Sequence, residues 1–587
     1  MLKFRFSSLL MASVIGIGAC GGNDQTSGAD APINQTRVIF SPSTSELPIP
    51  NDLLFSPPSN ADGEPLPADG TMYAGTDPTN PVITGIDALD GNSVLAPFDI
   101  TIDGSLNTAQ TLSATSFVGA NATVSPNPSQ NVFLLPLTYP SGDGLSQASI
   151  AGASVEVPTL AEAAEYQAAA ALAAGSGDFS GLNALAEVKA RAEIISLDGG
   201  TNNVIRINPL KPLRPKTKYL VVLTNLEAAN GQPIAASEAY EFIKDPDSNL
   251  EGFGDSAASL LRVRAAIQGW ERLAAGYFGF MQAVFDSAGS SATAPSADDI
   301  VFSITFTTGG TTDVLQQIAA PEEFLERSLT SAIRKDAIVK LVSGVYALDG
   351  STSSDDVTDA ATAAQINFFL TNTASPFYNA SIAGAIGAGA SFATIAADAS
   401  AAYLMQLAAA EAAVSINNSD GTTIAQEAVG TVSAIAAGAS APVSAIFPIP
   451  APRPSNFYRN DAASVINDDL PGPARIIQGE ITLPYFQPPP VGVDLSPLRT
   501  GAWEPNATIS GAIGANLSVP LAGSDDVDLV PPALTYRYPF PTKKADVTVP
   551  VLVTIPDEAS GATKPAEGWP VIIFVHGITT ERSVSLP

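Results

Sequence analysis

Cysteine and histidine are almost absent from this 587-residue chain, which has one of each. With a single cysteine, Cys20, no disulfide can form within the chain. With a single histidine, His576, any Ser-His-acid triad would have to take that residue as its base. Basic residues are also scarce: 27 Lys and Arg stand against 58 Asp and Glu, a formal net charge of −31. Nucleic-acid affinity depends on clustered Lys and Arg, so binding to a phosphate backbone is excluded. The acidity reads as a solvated surface. Missing too is the G-x-S-x-G elbow on which a hydrolase serine is presented. The stretch Gly254-Asp255-Ser256-Ala257-Ala258 approaches it but lacks the second glycine and precedes a helical pattern. Asp525-Asp526-Val527-Asp528 and Asp468-Asp469 lack the spacing of a calcium loop. No metal and no cofactor is expected.

Hydrophobic residues make up 45% of the chain, enough for real cores, and the length suits two to four domains. The first twenty residues combine a basic start (Lys3, Arg5), an apolar run from Leu9 to Ile17 and small residues before Cys20. That run is too short to span a bilayer. Ile17-Gly18-Ala19-Cys20 resembles the lipobox of a bacterial lipoprotein signal, which implies cleavage before Cys20 and its acylation. Acyl chains would hold the protein at a membrane without a spanning segment. Gly21 in place of Asp after the cysteine implies, by the same resemblance, the outer membrane and the cell surface. Residues 21–35 read as a flexible tether.

From residue 36 to 250 short β-type runs alternate with proline and turn residues, which suggests a sandwich. An inserted helical hairpin is expected over 159–196, where Leu160 to Leu172 is rich in strong helix formers and Gly175-Ser176-Gly177 breaks the pattern. Asn203–Leu210 and Leu213–Thr224 are read as a hairpin similar to bacterial Ig-like modules, with Tyr219 as a core anchor. The region 251–460 is read as mixed and mainly helical. It opens with an amphipathic helix over Leu260–Phe285, docked on the sandwich. A half-buried strand is expected at Ile300–Thr308, and small-residue helices in the Ala-rich stretch. Ala380 to Val414 contains Asp398 and Glu411 and makes a poor membrane span. A proline-rich β segment is expected over 461–545.

Residues 546–587 hold the most specific pattern. Asp546–Pro556 alternates as a strand, with Pro550 arguing for an edge position. Val571-Ile572-Ile573-Phe574-Val575 follows Trp569-Pro570 and stops at His576-Gly577, which reads as a strand buried on both faces in a covered parallel sheet. This order resembles the opening of an α/β-hydrolase domain, in which the loop His576-Gly577-Ile578 would lend backbone N–H groups to an oxyanion hole.

Phe40-Ser41-Pro42, Leu47-Pro48-Ile49-Pro50-Asn51-Asp52-Leu53-Leu54-Phe55 and Ala88-Leu89-Asp90-Gly91-Asn92-Ser93-Val94-Leu95-Ala96-Pro97-Phe98 are similar to the N-terminal region of the bacterial virulence-factor lipase family. The resemblance implies a surface lipase or lysophospholipase acting on lipid esters. His576 lies in the oxyanion-loop position and no serine elbow is present, so no catalytic triad is expected in this chain. The expected fold class is multidomain α+β: a β-sandwich or Ig-like N-terminal region with helical insertions, an Ala-rich helical middle, and the start of a truncated α/β-hydrolase sheet. The alternative reading is a non-catalytic surface lipoprotein with an Ig-like binding or structural role.

Overall fold

A computed structural model describes residues 36–41, 46–55, 70–75, 79–150, 153–252, 257–347, 357–419, 421–438, 443–447, 454–461, 474–509, 533–556 and 563–575. The protein is mixed α+β, with several small antiparallel sheets. Its strands up to residue 307 are β1 (Arg37–Val38), β2 (Phe98–Asp103), β3 (Phe117–Val118), β4 (Ser125–Pro126), β5 (Val132–Thr138), β6 (Ser149–Ile150), β7 (Ala153–Ser154), β8 (Thr159–Leu160), β9 (Ala190–Ile195), β10 (Val204–Pro209), β11 (Lys218–Thr224) and β12 (Ile300–Thr307). One four-stranded sheet runs β1-β2-β10-β9 and a second runs β12-β11-β5-β8; β3–β4 and β6–β7 are small hairpins.

The two larger sheets share one core. β2 reads Phe-Asp-Ile-Thr-Ile-Asp, and its period of two buries Phe98, Ile100 and Ile102 while turning the polar residues away. These pack with Val132, Leu134, Val221, Leu223, Phe302 and Phe306 of the second sheet. Tyr219 lies in this core, stacked on Phe306 at 5.5 Å, and its hydroxyl accepts a 2.8 Å bond from the Arg214 amide. Burial pushes its phenol up to about 12.

The second sheet is apolar on both faces, because helices cover its other side. The helices up to residue 287 are α1 (Pro81–Asp87), α2 (Ala161–Ser176), α3 (Ser180–Leu185), α4 (Glu238–Lys244) and α5 (Ala257–Ser287). Along α5, Tyr277, Phe278, Met281 and Phe285 form one apolar stripe against Phe133, Leu135, Leu220 and Val222. The amphipathic helix expected over Leu260–Phe285 is therefore present and docked on a sheet. α2 and α3 stand where a helical hairpin was expected, and the same stretch ends in β9.

Two sequence expectations are corrected. Asn203–Leu210 and Leu213–Thr224 do not form a hairpin: β10 pairs with β2 and β9, whereas β11 pairs with β5 and β12. The connection crosses from one sheet to the other, which alternation within each strand does not reveal. β12 is buried along nearly its whole length rather than half-buried. Its polar face is partly satisfied internally: the Tyr240 hydroxyl receives the Ser303 amide at 3.1 Å and Thr305 donates to Asp52 at 2.9 Å, while the buried Thr307 hydroxyl has no partner among the described residues.

A helical layer follows, made of α6 (Asp313–Ala319), α7 (Pro321–Val342), α8 (Val357–Thr371), α9 (Ala380–Gly387), α10 (Phe392–Ala396), α11 (Ala402–Asn417) and α12 (Ile424–Gly438). α11 buries Met405, Ala408, Ala409, Ala412 and Ala413 against α7 and α8, where small side chains let the helices approach closely. Among the described residues no helix is long and apolar enough to cross a membrane.

The last sheet is β13-β14-β15, from Ser455–Asp461, Ala474–Tyr485 and Ala545–Pro556, all antiparallel. β15 is an edge strand, as Pro550 implied. Val571–Val575 departs from expectation. It is not a buried strand of a parallel sheet: it joins no ladder, and Val571, Ile572, Ile573 and Val575 are 84–92% exposed. Its residues favour a covered strand, but the described chain places no neighbouring strand or helix over them.

Candidate functional site

The residues with the most unusual electrostatics lie where the second sheet meets the helical layer and the 533–541 segment. Asp143 is the hub. Its carboxylate accepts from the Arg537 guanidinium at 2.7 Å, from the Lys335 ammonium at 3.3 Å, and from the amides of Leu145 and Ser146 at 3.1 and 3.0 Å. Burial alone would raise this carboxyl, but the two cations and the amides outweigh it and hold it far below the usual carboxylate range. The Arg537 side chain is only 7% exposed. It also donates to the Tyr536 hydroxyl at 3.2 Å.

Two further carboxylates complete the junction. Asp52, on the turn after Asn51, pairs with Lys218 of β11 at 3.2 Å. Burial would depress that ammonium, but Asp52 keeps its pKa above the ordinary lysine value. Asn51 is fully buried and fixes the turn, donating to the Pro48 carbonyl at 2.6 Å and accepting from the Leu53 amide at 2.9 Å. Asp90 accepts from the amides of Tyr536 at 2.6 Å and Gly310 at 3.2 Å. Burial raises its carboxyl, and the two amides only partly offset this.

Asp90-Gly91-Asn92 acts as a clasp on the end of β12. Asn92 donates from its amide and its side chain to the Thr307 carbonyl at 2.8 and 3.0 Å, and its own carbonyl accepts from Gly309 at 2.9 Å. Gly91 is required by close approach: a Cβ there would lie 2.2 Å from the Gly309 nitrogen. Gly310 is required likewise, since its Cβ would meet that of Tyr536 at 2.6 Å. The Asn51-Asp52 and Asp90-Gly91-Asn92 pieces thus both bond β12, at Thr305 and Thr307, and Asp90 also holds the Tyr536 amide of the 533–541 segment.

The chemistry of this arrangement is holding. Asp52, Asp90 and Asp143 hold amides, a hydroxyl or cations, and beside them the Ser141 hydroxyl donates at 2.9 Å to the buried Glu156 carboxylate, which also accepts from the Ser141 and Ala148 amides. A groove of about 520 Å³ beside α4 and α5 is likewise self-paired: Lys244 meets Glu271 at 3.2 Å, and Glu271 also accepts from the Tyr240 hydroxyl at 3.2 Å. Among the described residues no group of three or more His, Cys, Asp or Glu could hold a metal ion.

Cys20, His576, Gly577, Ile578 and Ser256 lie outside the described residues, as do Asp468-Asp469 and Asp525–Asp528. The described residues therefore include none of the expected site residues. What sequence reasoning missed was the ionic junction. The polar Asn51-Asp52 and Asp90-Gly91-Asn92 inside apolar surroundings were its only signal, and nothing marked Asp143, Lys335 or Arg537. Comparison with known protein families, curated proteins and solved structures finds no match for this chain.

Proposed function

We propose that this chain is the non-catalytic frame of a lipase or lysophospholipase of the bacterial virulence-factor lipase type, a lipoprotein anchored through Cys20 at the outer-membrane surface. The two facing sheets are read as its sandwich, Ig-like in kind, and Val571–Ile578 as the first covered strand and oxyanion loop of a hydrolase sheet. One observation supports this reading above the rest. Five consecutive strand-forming residues, Val571 to Val575, stand exposed, as the residues of a core strand do when its sheet is not around them. In a completed sheet the backbone N–H groups beside Gly577 and Ile578 would bind the tetrahedral oxyanion of a lipid ester. One such donor is typically worth ~3 kcal/mol of transition-state stabilisation. His576 shapes that loop, so the catalytic Ser-Asp-His set is not contained in these 587 residues.

The test is hydrolysis of a short-chain p-nitrophenyl ester by the 21–587 chain, beside a chain extended through any coding sequence that continues the reading frame. Activity confined to the extended chain supports the proposal. Activity in the 587-residue form overturns the assignment of His576, and silence in both favours the second reading. That reading, a non-catalytic surface lipoprotein with a binding or structural role, draws on the junction itself, where Asp143 pairs with Arg537, Asp52 with Lys218, and Asp90 with the Tyr536 amide.

A further inference from the structure

We infer that the β13-β14-β15 sheet is a self-association surface, packing face to face against the same sheet of a second copy of this chain. In an antiparallel ladder, directly opposite residues share a face and alternate residues change face. The register of β14 on β15 pairs Ile477 with Val553, Ile481 with Val549 and Leu483 with Val547. These six apolar side chains therefore share one face. Phe457 of β13, opposite Gly479, joins them and is 55% exposed. The opposite face is mostly polar, with Gln478, Glu480, Asp546, Thr554 and the Thr482–Thr548 pair, whose hydroxyls bond at 3.0 Å, and has Ile476 and Leu552 as its large aliphatic residues. Such one-sided patterning belongs to a sheet with a covered face. Yet Leu483 and Val553 are 37% and 38% exposed, and the other four aliphatic residues of that face are only half-buried.

The way cover can arrive is restricted. Pro550 and Pro556 remove two amide donors from β15, where proline is tolerated because its nitrogen side faces outward from the ladder. β13 carries a register shift between Phe457 and Arg459, a bulge at the other edge. Both edges are thus poor templates for an added strand, and the apolar face is what remains. With a rise of about 3.3 Å per residue and strands about 4.8 Å apart, this face measures roughly 500 Å². Two copies bury roughly 1,000 Å² in total, the lower bound for a specific interface. A two-fold axis presents each face with its own complement, and aligned sheets pack about 10 Å apart.

Charge works against this association, since each copy carries −31. Screening lengths fall from about 10 Å at 0.1 M salt to about 3 Å at 1 M, so the dimer tightens as salt rises. The inference is independent of the ester-hydrolase reading: a chain inactive on esters can still dimerise, and an active one can be monomeric.

The test is sedimentation velocity on the purified full chain, from micromolar to roughly 0.1 mM, at 0.1 M and 1 M NaCl. The expected result is a mass average rising towards the dimer with concentration, shifted to lower concentration in 1 M salt. Val549→Lys, on the apolar face, is expected to weaken association at least tenfold, and Thr548→Lys, its neighbour on the polar face, to leave it unchanged. Circular dichroism checks the fold of each. Val549→Thr keeps the β-branched shape and is expected to weaken the dimer several-fold if the lysine variant misfolds. A chain monomeric at every concentration and salt overturns the proposal, as do equal effects of the lysine substitutions at 548 and 549. Flotation with phosphatidylcholine vesicles of a monomeric 21–587 chain, which lacks Cys20, also overturns it when Val549→Lys abolishes the flotation, and assigns the face to a lipid surface.

Discussion

At the scale of single residues, the junction makes opposite demands on two carboxyls. Asp143 titrates far below its unfolded value of about 3.9, so its stabilising effect is fully present above that pH and fades as pH falls towards the folded value. Asp143→Asn leaves Arg537 buried beside a neutral amide, which is expected to cost about 3 kcal/mol at pH 7. Urea unfolding at pH 7 and at about pH 3 checks this: the gap between wild type and variant should narrow in acid, because the unfolded wild type takes up a proton at 143 while the folded one stays ionised. Asp90 behaves in reverse. Its carboxyl is raised, so the ionised form opposes folding above its folded pKa, and this penalty is relieved as pH falls through that value. Gly91→Ala is a steric matter and independent of pH. With a Cβ 2.2 Å from the Gly309 nitrogen, the clasp or the end of β12 must shift, at an expected cost of about 3 kcal/mol measured by the same unfolding at any pH.

At the scale of elements, what could be read from sequence was whatever repeats with a local period. α5 was legible because Trp270, Phe278, Met281 and Phe285 recur at helical spacing, and β12 because its apolar and polar residues alternate. The partition of strands between sheets was not legible. β10 and β11 are neighbours in sequence, yet β11 finds its partners about 80 residues away in each direction, and no local pattern encodes that choice. The junction was invisible for the same reason, since Asp143 and Arg537 are 394 positions apart. Val571–Val575 shows the converse limit. Its β-branched composition states a preference for a covered strand, and the preference alone supplies no cover. For the helix that was read correctly the packing yields a direct expectation. Met281 is fully buried between α5 and the second sheet, and Met281→Ala should destabilise the chain by about 3 kcal/mol, seen as a lower urea midpoint with unchanged slope.

At the scale of the whole molecule, the question is whether the two-sheet part and the helical layer unfold together. They have separate hydrophobic clusters, one between the sheets and one around α8 and α11. The described ties between them include a small apolar cluster, in which Ala148 and Val155 meet Ile338 of α7 and Ala410 of α11, and several polar contacts. Lys335 of α7 reaches Asp143, and Lys216 meets Asp313 of α6 at 2.6 Å. The Gln406 side chain of α11 imitates a strand, donating to the Val155 carbonyl and accepting from the Val157 amide, each at 2.8 Å. Net hydrogen bonds of this kind contribute about 1 kcal/mol each, and more where a charge is involved, so a few of them set the coupling between two much larger cores. The intact chain is expected to melt in one calorimetric transition. Combining Asp143→Asn with Gln406→Ala removes a tie to α7 and a tie to α11, and should split the melt into two transitions. If the double variant still melts in one step at a lowered temperature, the cores are joined through apolar contact rather than through the junction. Asp90 and Asp143 would then only position the 533–541 segment, and the polar ties could be weakened without separating the two halves.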